Sequence, residues 1–232
     1  MTIHSEISKL QSKTRAKVLQ RFFKTGPGEY AEGDVFLGLT VGQSRAIAKQ
    51  FKELSLLELT PLLSSPIHEE RLISLIILSQ RYRKADENEQ KKIFAFLIKN
   101  RKGINNWDLV DTIAPAVFGP HLFDKDRSIL YKYAKSKNLW ERRIAIISTF
   151  YFLRQQDFRD TLQIAEALLN DEHDLIHKAA GWMLREVGKR DVKTLKSFLN
   201  KNAGRMPRTM LRYAIEKFPE QHRQRYLKIK RK

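Results

Sequence analysis

A tryptophan and an aspartate four residues apart are the first residues with chemistry in them. The stretch N-N-W-D-L-V-D-T-I-A-P, Asn105 to Pro115, sets Trp107, Asp108 and Asp111 at the start of a segment with helical apolar spacing. At i,i+4 separation the indole of Trp107 and the carboxylate of Asp111 project together from a helix. Asn105 or Asn106 suits the cap of that helix, and Asp108 suits its electropositive first turn. Asp111 lies a turn further on, among Leu109, Val110, Ile113 and Ala114. Taken alone it fits a salt bridge to Arg142 or Arg143 as well as it fits a catalytic carboxylate.

Two further motifs have matching chemistry. W-E-R-R-I-A-I-I-S places Arg142 and Arg143 at a helix start, where guanidinium groups hold phosphates through forked hydrogen bonds. A-A-G-W-M-L-R-E places Trp182 beside Gly181. A lone tryptophan is ordinarily core, and a lone arginine belongs as readily to a solvated face. Two flat rings flanking a carboxylate nevertheless make a pocket for a flat ligand, a base or a sugar face. Other signals are weaker. Gly26, Gly28 and Gly33 lack the preceding strand and following G-K-[ST] of a phosphate loop. His173 and His177 have i,i+4 spacing but no completing zinc ligands, and both are expected to be solvated. No nucleophile–base pair is evident, and neither a metal nor a cofactor is expected.

Composition points to a polyanionic partner. Among 232 residues, 44 Lys+Arg face 26 Asp+Glu, for a net charge of +18. Such a balance is the footprint of nucleic-acid binding. The excess is uneven: residues 1–100 carry 16 basic and 11 acidic side chains, residues 101–232 carry 28 and 15. The binding surface is therefore expected mostly in the second half. Zero cysteines exclude disulfides and thiolate metal sites. Met1 to Leu10 is polar, and the apolar run Leu72 to Leu78 is too short to span a bilayer, so a cytoplasmic protein is expected.

The elements that must position these residues are helices. Ten glycines and seven prolines are too few for an all-β chain. Ile3–Lys24 reads as a first amphipathic helix stopped by Gly26-Pro27-Gly28, and another is expected near Val41–Lys52. Beyond it a repeat emerges. Glu70, Asn106, Glu141, His177 and Arg208 begin similar segments at spacings of 36, 35, 36 and 31. Between them lie the helical segments Glu87–Lys99, Asp126–Ala134, Phe158–Leu169 and Val192–Leu199. Helix pairs at roughly this period mark HEAT-like repeats, which stack into a solenoid. The expected fold is an all-α solenoid, a single domain over 1–232, with a concave basic groove lined by the second helix of each pair. Residues 225–232 are expected to be a basic tail.

At this point the motifs resemble a known family. The chain is similar to the AlkD family of alkylpurine DNA glycosylases from F-F-K-T-G-P-G-E-Y-A-E-G-D-V-F-L-G through M-P-R-T-M-L-R-Y-A-I-E-K-F, most specifically in W-D-L-V-D, L-W-E-R-R-I-A and H-K-A-A-G-W-M-L-R-E. The resemblance implies removal of positively charged N3- or N7-alkylated purines from duplex DNA, without base flipping into a tight pocket. It assigns Trp107, Asp111 and Arg143 to catalysis and Trp182 to DNA, with Tyr30 as the counterpart of a loop tyrosine that contacts DNA. Arg142, Lys178, Arg208 and Arg212 are expected as further DNA contacts, and no lysine stands beside Asp111 for Schiff-base lyase chemistry. Some relatives bind branched DNA without excising bases; this chain keeps all four matched residues. The rivals are that noncatalytic binder and a protein–protein scaffold. A monomer is expected.

Overall fold

The computed structural model describes residues 2–230, and among them fifteen α-helices and no strands. The chain divides into two compact units, Met1–Ile113 and Ala114–Lys232.

The first unit is built around α5 (His68–Tyr82), which is buried along most of its length from His68 to Ser79. Helices α3 (Val41–Gln50), α4 (Leu56–Leu63), α6 (Glu87–Lys99) and α7 (Trp107–Ile113) pack against it. The capping residues explain several starts. Thr40 and Ser55 each form a capping box with the residue three positions on, and Asp86 caps α6 through the Glu89 N–H. Each such cap is worth about 1 kcal/mol.

The long first helix anticipated over Ile3–Lys24 is instead two, α1 (Ile3–Lys9) and α2 (Lys13–Phe22). Ser12 breaks it. Its backbone N–H donates to the carbonyl of Leu37 at 2.9 Å, and its side chain caps α2. A tertiary contact takes the N–H that a continuous helix would use. That contact needs Gly38: at φ 88° it occupies the left-handed region, and a Cβ there would lie 2.3 Å from the Ser12 carbonyl oxygen. The buried carboxylate of Glu69 receives the N–H groups of Leu37, Gly38 and Leu39 and pins the same loop to α5.

The second unit begins with a π-helical turn, Ala114–Phe118, and continues through α8 (Gly119–Leu122), α9 (Ser128–Ala134), α10 (Leu139–Arg154), α11 (Arg159–Ala167), α12 (Asp174–Arg190), α13 (Val192–Asn202), α14 (Arg208–Ala214) and α15 (Glu220–Leu227). Helices α9, α11 and α13 fall on the helical segments anticipated there, and α12 packs on α10, α11, α13 and α14. The π-turn has a cause in the sequence. Pro115 has no N–H, so the Asp111 carbonyl lacks its ordinary i+4 donor.

Residues 225–227 are part of α15 rather than a loose tail. Tyr226 is buried and its hydroxyl donates to Asn200 Oδ1 at 3.1 Å, while Arg208 holds the carbonyls of Leu227 and Ile229. Arg231 and Lys232 lie outside the described residues.

Gly181 shows how closely α12 approaches α14. A Cβ there would lie 2.6 Å from the Met210 carbonyl oxygen and 2.5 Å from the Tyr213 Cβ. Gly181→Ala is expected to destabilise the protein by about 1–3 kcal/mol through overpacking. At roughly 2–4 °C per kcal/mol for a chain of this size, a thermal melt should show the midpoint falling by several degrees.

Candidate functional site

Trp107 and Asp111 stand on α7, both half-buried. The first turn of this helix is tied to two other segments, the Asp34 loop and α5. Asn106, fully buried, accepts the Trp107 N–H at 2.8 Å and donates through Nδ2 to Asp34 at 3.1 Å. Asp108 accepts the Leu109 N–H on one oxygen, and its other oxygen faces His68 Nε2 at 2.8 Å. His68 Nδ1 faces Asp34 at 3.3 Å, and the second oxygen of Asp34 pairs with Arg71 at 2.6 Å.

The isolated parallel bridge between Val35 and Ile67 brings the Asp34 loop beside the start of α5. Val35 N–H donates to the Pro66 carbonyl and His68 N–H to the Val35 carbonyl. Burial pushes the Asp34 carboxyl upward, but His68, Arg71 and Asn106 together hold it below the usual carboxylate range. Burial likewise depresses His68, yet its bonds to Asp108 and Asp34 outweigh that and raise it above the usual imidazole value.

Three rings stand over this polar cluster, and Phe23 meets His68 as well as Phe36, at 5.1 Å between centroids. Phe36 lies on His68 at 4.4 Å between centroids, Phe23 on Phe36 at 4.9 Å, and Trp107 on Phe23 at 5.2 Å with only 14° between the planes. Phe22 meets Trp107 edge-on at 6.2 Å and is itself 62% exposed. Aromatic pairs of this geometry contribute about 0.5–1.5 kcal/mol each beyond burial. The indole plane is thus fixed from behind. The sequence reading missed Phe22, Phe23, Asp34 and His68; the only local signal was the pair of phenylalanines in R-F-F-K-T-G-P-G.

The remaining anticipated residues fall in two places. Tyr30 belongs to the first unit and is half-buried in the Gly26–Gly33 loop. In that loop the N–H groups of Gly26 and Gly28 are taken by the carboxylates of Glu29 and Glu32. In the second unit, Arg143 is 5% exposed on α10, and its guanidinium donates to the Leu175 carbonyl at 2.7 Å. Arg142 turns elsewhere: its Nε meets Asp171 at 2.6 Å and its Nη1 donates to the carbonyls of Ser136 and Lys137. Neither arginine lies on a solvated face.

Trp182, half-buried on α12, lies 5.7 Å from Phe150, whose ring also carries Arg154 at 4.5 Å. Lys178 pairs with Asp174 at 2.6 Å, Arg208 is half-buried against the α15 carbonyls, and Arg212 is exposed. His173 and His177 are not solvated as anticipated. His173 caps α12 by accepting the Leu175 N–H, and His177 Nε2 lies 2.5 Å from the Asp171 carbonyl oxygen. Among the described residues no three His, Asp or Glu side chains are grouped to hold a metal ion. No helix of the described residues is long and apolar enough to cross a membrane.

Among the described residues the chain is all-helical, with Trp107 and Asp111 on one short helix. This chain belongs to the DNA alkylation repair enzyme family, whose model matches residues 3–218. Its fold is similar to that of a solved structure described as a predicted DNA alkylation repair enzyme from Enterococcus faecalis. The TM-score is 0.71 at 16% identity, covering 90% of this chain and 97% of that one. At that identity the likeness carries the fold alone. No curated protein matches the sequence.

Proposed function

We propose that the protein is a monofunctional DNA N-glycosylase that hydrolyses the N-glycosidic bond of N3- and N7-alkylated purines in duplex DNA. The observation that carries this is the ring stack behind Trp107, which fixes a half-exposed indole on the helix that also bears Asp111.

N-alkylation puts a positive charge on the purine and makes it a good leaving group, so little help is needed from a general acid. What needs stabilising is the oxocarbenium-like sugar formed as the bond breaks. The carboxylate of Asp111 does so electrostatically and orients the attacking water. Trp107 shapes the space beside the deoxyribose. In the second unit, Arg143 and Trp182 contact the lesion strand, with Lys178, Arg208 and Arg212 as further contacts along the duplex and Tyr30 adding one from the first unit. Arg142, already engaged by Asp171 and two carbonyls, is assigned a supporting place beside Arg143. The helix pairs are of the HEAT-like type.

The deciding experiment incubates the protein with duplex DNA methylated at purine nitrogens and assays free base and abasic sites. Release of 3-methyladenine or 7-methylguanine with matching abasic sites is expected. DNA bound with no base released would make the protein a noncatalytic binder.

A further inference from the structure

His68 is a deeply buried titratable group that the proposed chemistry does not use. Its side chain is 2% exposed, and both ring nitrogens face carboxylates: Nε2 faces Asp108 of α7 at 2.8 Å and Nδ1 faces Asp34 at 3.3 Å. A neutral imidazole has one N–H and one lone pair. In the neutral form, therefore, one of these contacts would set a lone pair against carboxylate oxygen. Asp34 is already ion-paired with Arg71 and so carries its charge. The arrangement closes only with both nitrogens donating, as imidazolium. His68⁺ and Arg71⁺ then balance Asp34⁻ and Asp108⁻, and losing the proton would leave an uncompensated negative charge in the interior.

The groups facing His68 are few. Asp34 comes from the loop, Asp108 from α7, and Arg71 from its own helix; Asn106 completes the Asp34 hydrogen bonds, and Phe36 and Phe23 cover the ring. The neighbouring acids are engaged elsewhere, Glu69 by the N–H groups of residues 37–39 and Glu70 by His4.

What this clamp holds is the first turn of α7. A seven-residue helix is too short to be stable by itself, so external contacts set its position. Asp108 is the residue between Trp107 and the rest of that turn, and Asp111 follows one turn later. Trp107 is linked to the same histidine through Phe23, whose ring meets both.

We propose that His68 is a positioning residue for excision, a doubly bound imidazolium that ties α7 to α5 and the Asp34 loop and thereby places Trp107 and Asp111. The inference rests on the N-glycosylase reading for its effect on rate, but not for its effect on α7. Because the folded protein holds the His68 pKa above 6.5, the clamp contributes fully below about pH 6.5 and is lost as pH rises through the higher folded value. Excision should fall over that same alkaline limb. A small displacement of a catalytic group lowers rates by up to about 100-fold, and a loss of roughly 10- to 100-fold is expected.

The test follows three signals against pH in the intact protein: the His68 ring nitrogens and the Trp107 indole N–H by NMR, and single-turnover excision of a methylated purine. The expected result is one shared midpoint above pH 6.5. Asp108→Asn, which keeps shape and removes one negative charge, should lower that midpoint for all three signals together. A purely structural histidine would alter the melting temperature without linking the Trp107 signal to its own titration. A His68 ring already neutral at pH 6, or a Trp107 signal and excision rate indifferent to its titration, would overturn the proposal. If no excision occurs at any pH, the glycosylase reading falls, and the His68 and Trp107 signals still decide the clamp.

Discussion

Asp111→Asn is expected to lower single-turnover excision of a cationic alkylpurine by roughly 10²–10³-fold, equivalent to about 3–4 kcal/mol of lost preorganised electrostatic stabilisation. The substitution keeps shape and removes charge. Only the ionised carboxylate favours charge on the sugar over the ground state, where the charge sits on the purine, and only such differential stabilisation raises the rate. DNA binding should hold or tighten slightly, because a negative charge leaves a surface that faces phosphates. A structural carboxylate would give the opposite pattern, a lower melting temperature with excision falling only as folded protein is lost. Rate and thermal stability measured on one preparation separate the two, and undiminished excision removes Asp111 from the mechanism.

Affinity for duplex DNA is expected to collapse with salt. Neutralising about 5–8 phosphates releases condensed counterions and gives a log–log slope of roughly −5 to −7. Between 50 and 200 mM salt this is a loss of roughly 10³–10⁴-fold. The net excess of +13 over residues 101–232 supplies the charge. Not every basic group there is available: Arg127 is held by Asp157 and Asp160, and Arg142 by Asp171. The count of contacts is therefore well below the count of basic residues. Fluorescence anisotropy of a short duplex over a salt series measures the slope, and a value near zero would remove phosphate neutralisation as the driving force.

Much of this protein was legible in the order of its residues. Apolar spacing of three and four, few glycines and regularly placed turn residues determined an all-helical chain, because helix period is a local property. The i,i+4 pair in W-D-L-V-D placed Trp107 and Asp111 together for the same reason, since one helical turn carries the geometry. The break between α1 and α2 was not local. It depends on the Ser12 N–H meeting the Leu37 carbonyl, a contact made by a loop 25 positions away and permitted by Gly38.

The two adjacent arginines could not be told apart by sequence, because consecutive helical residues diverge by about 100° and their surroundings come from other segments. Tertiary packing sent Arg142 to Asp171 and buried Arg143 against the Leu175 carbonyl. It likewise decided the partner of Asp108. From sequence that carboxylate looked like a helix-end charge. In the fold its second oxygen goes to a histidine 40 residues earlier, because the Val35–Ile67 bridge sets Asp34 on the far side of the same ring. Helical period and charge balance are summed along the chain and survive any folding. The state of a buried histidine depends on which carboxylates the fold brings within about 3 Å, and only the tertiary structure makes that choice.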